Sequence, residues 1–159
     1  MITFVKAELL NTQHAQALVT LLNEYALDEM GGDQALSNYT KSNLVNELAK
    51  RDFCHVILAY VNDEPAGLAL CFEAFSTFNC KPILNIHDFM VSEQFRGQGL
   101  AKKLIFAVEQ LAVDLGCCKI TLEVLEHNSI ARNAYHSCGF NSYELNPELG
   151  RALFYEKKL

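Results

Sequence analysis

The stretch Ile83–Lys103 constrains the fold most, because it joins a nearly unbroken apolar run to a helical pattern through two closely spaced glycines. The apolar run Ile83–Val91 predicts a buried strand. Gly97 and Gly99 let a ligand approach the backbone, since neither carries a Cβ. A strand, a glycine loop and a helix N-terminus together present backbone N–H groups to an anion such as a phosphate. The stretch therefore predicts an anion site, although an ordinary strand–helix turn has the same pattern.

The charges around this loop support an anion site. Arg96, Lys102 and Lys103 cluster here, whereas the 159-residue chain has a formal net charge of −6. A local basic cluster in an acidic protein indicates a discrete site rather than a nucleic-acid-binding face. The two lysines would also suit a solvated first helical turn. We expect no nucleic acid partner, and the acidic balance favours cationic substrates.

A length of 159 residues predicts a single domain over residues 1–159, and the apolar half of the residues is enough for a sizeable core. No run approaches the roughly 18–20 apolar residues of a membrane helix, and the N-terminus lacks signal-peptide features, so we expect no membrane association. The six cysteines form no C-x-x-C pair, which favours reduced thiols in a cytoplasmic protein. The histidines show no ligand spacing, and no metal site is expected.

Hydrophobic periodicity predicts an α/β fold in which a mixed sheet is covered by about four helices. The predicted strands are Ile2–Glu8, Phe53–Val61, Ala66–Phe75, Ile83–Val91, Lys119–Leu125, Phe140–Leu145 and Ala152–Lys157. The predicted helices begin near Asn11, Lys41, Gln98 and Asn128. The strand–helix–strand order after Ile83 predicts a parallel, right-handed crossover.

Two motifs in this order resemble the GNAT superfamily of N-acetyltransferases, which use acetyl-CoA. Gln94–Ala101 is similar to that family's Q/R-x-x-G-x-G/A pyrophosphate loop. The pattern N-x-x-A-x-x-x-Y-x-x-x-G-F over Asn128–Phe140 is similar to its second cofactor segment. The resemblance implies a mostly antiparallel central sheet with a parallel strand–helix–strand core. It also implies acetyl-CoA as co-substrate, a small-molecule primary amine as acceptor, and a possible homodimer.

The chain most resembles the diamine and polyamine (spermidine/spermine, thialysine) acetyltransferase-like branch. There too an acidic residue and an aromatic, here Asp88 and Phe89, lead into the loop. The tail Gly150–Phe154 is similar to that branch's W-R-L-F ending without the tryptophan. Where the branch carries a glutamate just before the aspartate, this chain carries His87.

The resemblance also implies roles for individual residues. Tyr135 matches the tyrosine that protonates the CoA thiolate, and Asn128 matches a residue that hydrogen-bonds the pantetheine arm. The backbone around Phe89–Val91 would bind the thioester carbonyl. The implied cofactor-binding residues are Phe89, Met90, Val91, Arg96, Gly97, Gln98, Gly99, Leu100, Ala101, Lys102, Asn128 and Ala131. From the residues alone, Tyr135 could be a core aromatic and Asn128 a plain helix cap.

The reaction needs a neutral amine, and an alkyl ammonium of pKa ~10.4 costs roughly 4–5 kcal/mol to deprotonate at pH 7. His87 is the candidate base, since histidine ordinarily titrates near working pH; a hydrogen-bonded structural histidine is equally open. In a regular strand Asp88 would face the opposite side from His87. Its role is either structural or a contact to the substrate amine.

The leading hypothesis is thus an acetyl-CoA-dependent N-acetyltransferase that acts by direct attack of the amine. The alternatives are a non-catalytic acyl-CoA-binding or regulatory module on the same fold, and a protein N-terminal or lysine acetyltransferase. The sequence does not decode the acceptor, which the regions Leu22–Tyr39 and Ser76–Pro82 would select.

Overall fold

The structure is a computed structural model that describes residues 1–159. Its strands are β1 (Ile2–Lys6), β2 (Cys54–Val61), β3 (Glu64–Ser76), β4 (Lys81–Val91) and β5 (Ile120–Leu122). Its helices are α1 (Thr12–Leu27), α2 (Asn38–Ala49), α3 (Leu100–Asp114) and α4 (Ser129–Ser137). Short 3-10 turns lie at Glu29–Gly31, Glu93–Phe95 and Pro147–Leu149. No helix is both long and apolar enough to cross a bilayer.

The strands form one sheet in the order β1-β2-β3-β4-β5. The first four pair antiparallel with their neighbours, and β5 pairs parallel to β4 after the α3 crossover. This arrangement confirms the predicted mixed, mostly antiparallel α/β fold with a parallel strand–helix–strand core and four helices.

Two apolar layers hold the helices on opposite faces of the sheet. On one face, Leu104 and Val108 of α3 pack among buried residues that include Ile86 of β4. On the other, Leu18 of α1 packs in a second cluster with Met90 of β4 and Leu48 of α2. Burying aliphatic side chains on both faces is the dominant stabilisation of such a layered fold.

Local signals explain most of the helix boundaries. The Asn11 side chain accepts a hydrogen bond from the Gln13 amide at 2.9 Å and starts α1 as predicted. Ser37 caps α2 through the Thr40 amide at 3.0 Å, so this helix begins at Asn38 rather than near Lys41. Gly99, with φ 73°, is the N-cap of α3, which begins at Leu100 rather than near Gln98.

The two strands predicted at Phe140–Leu145 and Ala152–Lys157 are absent, and β5 is shorter than predicted. A segment with high strand propensity forms a strand only where a neighbouring strand supplies hydrogen-bond partners. Neither segment makes a backbone hydrogen bond to another strand, and residues 151–159 make no backbone–backbone bond. The apolar character that predicts strands here is therefore exposed to solvent.

Candidate active site

The glycine loop presents a row of backbone N–H groups that have no acceptor within the chain. The amides from Gly97 to Lys102 donate no hydrogen bond, and the first amide of this region that bonds backward is Lys103, to the Gly99 carbonyl at 3.3 Å. Gly97 and Gly99 have φ values of 75° and 73°, a left-handed conformation that favours glycine. A Cβ at either glycine would project into open space. Free amides at a helix N-terminus fit the phosphates of a nucleotide-like cofactor.

The end of α1 fastens this loop through two carboxylates. Glu24 accepts hydrogen bonds from the Ser92 hydroxyl at 3.0 Å and the Glu93 amide at 3.1 Å. Asp28 pairs with the Arg96 guanidinium at 2.9 Å. The pKa of Asp28 is lowered, first by the Met30 amide that donates to it and then by Arg96. These contacts bring together residues that are almost 70 positions apart in sequence.

The Arg96 side chain also holds the loop in place, whereas its predicted phosphate contact stays a prediction. Its Nε donates to the Val91 carbonyl at 2.9 Å, and its Nη2 donates to Asp28. Its own backbone amide bonds to the Glu93 carbonyl at 3.2 Å. Nε, Nη2 and the backbone amide therefore hold the loop, and the half-exposed side chain keeps Nη1 without a partner.

Some of the other predicted loop residues can contact a ligand only through their backbone, and others also through their side chains. Leu100 is buried and half-buried Ala101 packs beside it, so only their amides reach the loop surface. The Gln98 side chain bonds to the Gln94 carbonyl at 3.2 Å. The Lys102 ammonium lies over the Phe106 ring at 5.8 Å, which leaves it on the helix surface near the loop.

The strands β4 and β5 separate next to the loop. They pair only from Leu84–Ile120 to Ile86–Leu122. Beyond Ile86, the segment Phe89–Val91 still pairs with β3 but has no strand partner on its other side. The Tyr135 ring of α4 packs against Phe89 at this opening, with ring centroids 5.9 Å apart. The predicted carbonyl-binding segment, the glycine loop and Tyr135 therefore border one opening.

Helix α4 carries the second motif. The Asn128 side-chain oxygen Oδ1 accepts from the Ala131 amide at 3.1 Å, so the residue is an N-cap, and its side-chain nitrogen Nδ2 has no partner in the chain. Ala131 contributes its backbone amide, which donates to this Asn128 oxygen. Tyr135 lies between Phe89 and Phe140. Burial, and secondarily the nearby Tyr25, raise the pKa of Tyr135 to about 12.

A β-bulge corrects the prediction that His87 and Asp88 face opposite sides. Leu70 of β3 pairs with Asp88 whereas Cys71 pairs with Ile86, so His87 is the extra residue. The exposed His87 ring lies edge-on to Phe72 at 5.2 Å, and Phe72 packs with the α1/α2 layer. Asp88 precedes Met90 on that same face. The bulge therefore turns both side chains towards α1 and α2.

This face concentrates ionisable groups, and of these the sequence motifs did not reveal Tyr25. Burial raises the pKa of Asp88, and the neighbouring His87 partly opposes that shift. Burial and then Asp88 raise the pKa of Tyr25. Tyr25 has the helical spacing of a core residue, so nothing in the sequence distinguishes it from its apolar neighbours. In the structure Tyr25 lies near both Asp88 and Tyr135.

Comparison with known proteins identifies the family of this chain. The profile described as the Acetyltransferase (GNAT) family matches residues 17–140. The chain belongs to this family. It is accordingly an acetyltransferase enzyme of a family that uses acetyl-CoA as the acetyl donor.

Individual relatives agree with this assignment. The chain is 30% identical over 133 residues to thialysine N-epsilon-acetyltransferase of Caenorhabditis elegans, covering 80% of this chain and 77% of that protein. It is similar in fold, with a TM-score of 0.81 and 21% identity, to the structure of a probable acetyltransferase, covering 99% of both chains. It also resembles AAC(6')-Iy in complex with the bisubstrate analogue CoA-S-monomethyl-acetylneamine, with a TM-score of 0.78, 20% identity, and coverage of 100% of this chain and 99% of that one.

Proposed function

We propose that this protein transfers the acetyl group of acetyl-CoA to a primary amine of a small molecule by direct attack, with Tyr135 as general acid to the CoA thiolate. The observation that carries the proposal is the row of unpaired amides from Gly97 to Lys102, next to the opening between β4 and β5 where Tyr135 lies. We further propose that residues 1–159 form one domain that works in the cytoplasm with its cysteines reduced; all six are free thiols.

The cofactor would be held mainly by backbone groups. The amides of Gly97–Lys102 would bind the diphosphate, and Lys102 would add positive charge nearby. The free side-chain nitrogen of Asn128 would donate to the pantetheine arm. The unpaired side of Phe89–Val91 would offer an amide to the thioester carbonyl. When bound, acetyl-CoA supplies an activated acetyl thioester.

The acceptor amine would approach from the α1/α2 face, where His87 and Asp88 lie side by side. The Asp88 carboxyl makes no hydrogen bond in the chain, and its pKa is raised by burial. An ammonium group beside it would favour its ionised form, so a cationic acceptor gains a charge-assisted contact. His87, next to Asp88 and exposed, can then accept the proton whose removal makes the nitrogen a nucleophile.

Tyr135 would act on the sulfur as it leaves. A phenol of pKa about 12 is a weaker acid than a thiol of pKa ~8.5, so complete transfer to a free thiolate costs roughly 5 kcal/mol. The hydroxyl therefore remains protonated at working pH and stabilises charge on sulfur by donating a hydrogen bond. Proton transfer to sulfur then accompanies cleavage of the C–S bond, and the second proton, which the nitrogen loses as the amide forms, restores the phenol of Tyr135.

The relatives narrow the acceptor class. The Caenorhabditis elegans relative is named for thialysine, and the AAC(6')-Iy structure holds an analogue built on neamine. Both are small molecules that carry several amines, which suits an acidic chain with Asp88 at the acceptor side. We therefore propose a small polyamine-like or amino-acid-like cation rather than a neutral amine.

The test is thiol release from acetyl-CoA in the presence of an amine panel. The panel contains thialysine, spermidine, neamine, a monoamine with no other charged group, and a peptide with a free amino terminus. Turnover that is fastest with the polycationic small molecules supports the proposal. Turnover with the peptide alone would replace it with protein acetylation. Cofactor binding by calorimetry without turnover on any amine would favour the non-catalytic acyl-CoA-binding module.

A further inference from the structure

The sheet face towards α1 and α2 extends from β4 onto β5. Leu84 and Ile86 of β4 belong to the buried cluster on the α3 side, so Asn85 between them points to the opposite face. Ile120 and Leu122 of β5 also pack against the α3-side cluster. The β5 residues that alternate with these two therefore point the same way as Asn85.

A single side-chain amide joins the two strands on this face. The Asn85 nitrogen Nδ2 donates to the Thr121 hydroxyl at 3.0 Å and lies 3.4 Å from both carboxylate oxygens of Glu123. These contacts fall where the parallel ladder ends, because Ile86 and Leu122 are its last pair. Glu123 is exposed, yet the neighbouring strand orients its carboxylate.

The strand register brings Glu123 to the acceptor side of the site. Because Ile86 pairs with Leu122, the residues that follow them, His87 and Glu123, leave the sheet as neighbours. The His87 ring contacts Phe72 of β3, with ring centroids 5.2 Å apart. Glu123 therefore lies on the β5 side of His87 and Phe72 on the β3 side.

The Glu123 carboxylate has no cationic partner of its own. It forms no ion pair in the chain, whereas the nearby Glu126 pairs with Arg151 at 3.7 Å. Asp88 is a second carboxylic acid on the same face. Two carboxylates on one face repel each other when both are ionised, and a ligand with two positive charges relieves that repulsion.

We propose that Glu123 is a specificity-determining residue of the acetyl transfer, and that its carboxylate binds a second ammonium group of the acceptor while Asp88 contacts the reacting one. Asn85 is the residue that positions Glu123. The assignment rests on the proposed function, because it takes the α1/α2 face as the acceptor side. The preferred acceptor is thus a small molecule whose two ammonium groups are joined by an aliphatic chain. A monoamine leaves Glu123 unpaired and gains no charge-assisted contact from it.

The first experiment compares putrescine with butylamine, which have the same carbon chain but differ in the second amine. The unmodified protein should have the lower KM for putrescine. Glu123→Gln should raise this KM about threefold to tenfold, the range expected for a partly exposed charge pair. The kcat and the KM for butylamine should stay unchanged. Glu126→Gln is the matched control, because Glu126 is also exposed but pairs with Arg151.

A second variant separates the orientation of Glu123 from its charge. Asn85→Ala keeps the carboxylate but removes the amide that orients it. The KM for putrescine should rise by less than in Glu123→Gln, and the KM for butylamine should not change. Circular dichroism checks that the variant is folded. An unchanged KM for putrescine in folded Asn85→Ala would contradict the positioning role of Asn85.

The outcomes separate this assignment from the proposed function. A KM for butylamine as low as that for putrescine, or unchanged kinetics in Glu123→Gln, would overturn the role of Glu123 and leave the acetyl transfer standing. Equal losses with both amines, together with a shifted pH profile, would show that Glu123 acts through His87 instead of binding a second charge. Absence of turnover on every amine would refute the proposed function, and the assignment would fall with it.

Discussion

The glycine loop and helix α4 border the same opening but are held in very different ways. The loop is tied to α1 by Glu24 and Asp28 and continues into α3, which buries Leu100 and Leu104. Helix α4 has no fully buried residue, although Tyr135 is half-buried, and the segment from Asn141 onward is exposed. A preorganised loop loses little entropy when it binds phosphates. The side of the opening that carries Tyr135 is, by contrast, held by few buried contacts, mainly the rings of Phe89 and Phe140.

The largest effect is expected in the loop. Gly99→Asp should weaken CoA binding by about 100-fold or more, because the new carboxylate would stand among the amides that receive the phosphates and repel them. Isothermal titration calorimetry measures this directly. Gly116→Asp is the matched control, since Gly116 also has a left-handed φ and open space around a Cβ but ends α3 away from the loop. Wild-type affinity in Gly99→Asp would refute the loop assignment.

On the tyrosine side, Tyr135→Phe should lower kcat by about 100-fold, in line with the loss of a general acid. CoA affinity should change little, because the ring contacts with Phe89 and Phe140 persist. Steady-state kinetics with a saturating amine measures kcat and the KM for acetyl-CoA separately, and only kcat should fall. The exposed Tyr39→Phe serves as control. Unchanged turnover in Tyr135→Phe would remove the hydroxyl from the mechanism.

Asp88→Asn should raise KM for a cationic amine by about tenfold or more, since hydrogen bonds to charged groups contribute about 1.5–3 kcal/mol. The same change should stabilise the fold at neutral pH. Burial raises the folded-state pKa of Asp88, so stability falls as pH rises from the unfolded pKa to the folded one, and the penalty persists above it. Thermal unfolding of Asp88→Asn against Asp52→Asn tests the sign; a lower Tm in Asp88→Asn alone would contradict it.

Asp28→Asn tests how much the contact between the end of α1 and the glycine loop contributes to CoA binding. It weakens the contact with Arg96 and should raise the Kd for CoA by about threefold to tenfold, the range expected for a partly exposed charged hydrogen bond. Glu47→Gln, which breaks a surface pair on α2, should leave this Kd unchanged. An unaltered Kd in Asp28→Asn would mean that the loop keeps its shape without α1.

The smallest expected effect concerns His87. His87→Ala should shift the acidic limb of the pH profile of kcat/KM, because the group that accepts the amine proton would be lost. The exposed His127→Ala is the control. If both profiles coincide with that of the unmodified protein, His87 has only its packing role against Phe72.

The predictable parts of this molecule are those encoded over short distances. Gly97, Gly99 and the cap Asn128 specify their turns locally, so the loop, α3 and α4 could be placed from sequence. The β-bulge at His87 depends on register against β3, and the Glu24 and Asp28 contacts join distant segments, so neither has a local signal. The C-terminal strands were predicted wrongly because propensity alone cannot supply the neighbouring strand that they need.

The most direct test of the central claim is a crystal structure of the protein with CoA. The account predicts that the diphosphate lies on the amides of Gly97–Lys102 and that the sulfur lies within hydrogen-bond reach of the Tyr135 hydroxyl. A diphosphate bound away from this loop, or a sulfur on the far side of β4 from Tyr135, would contradict it.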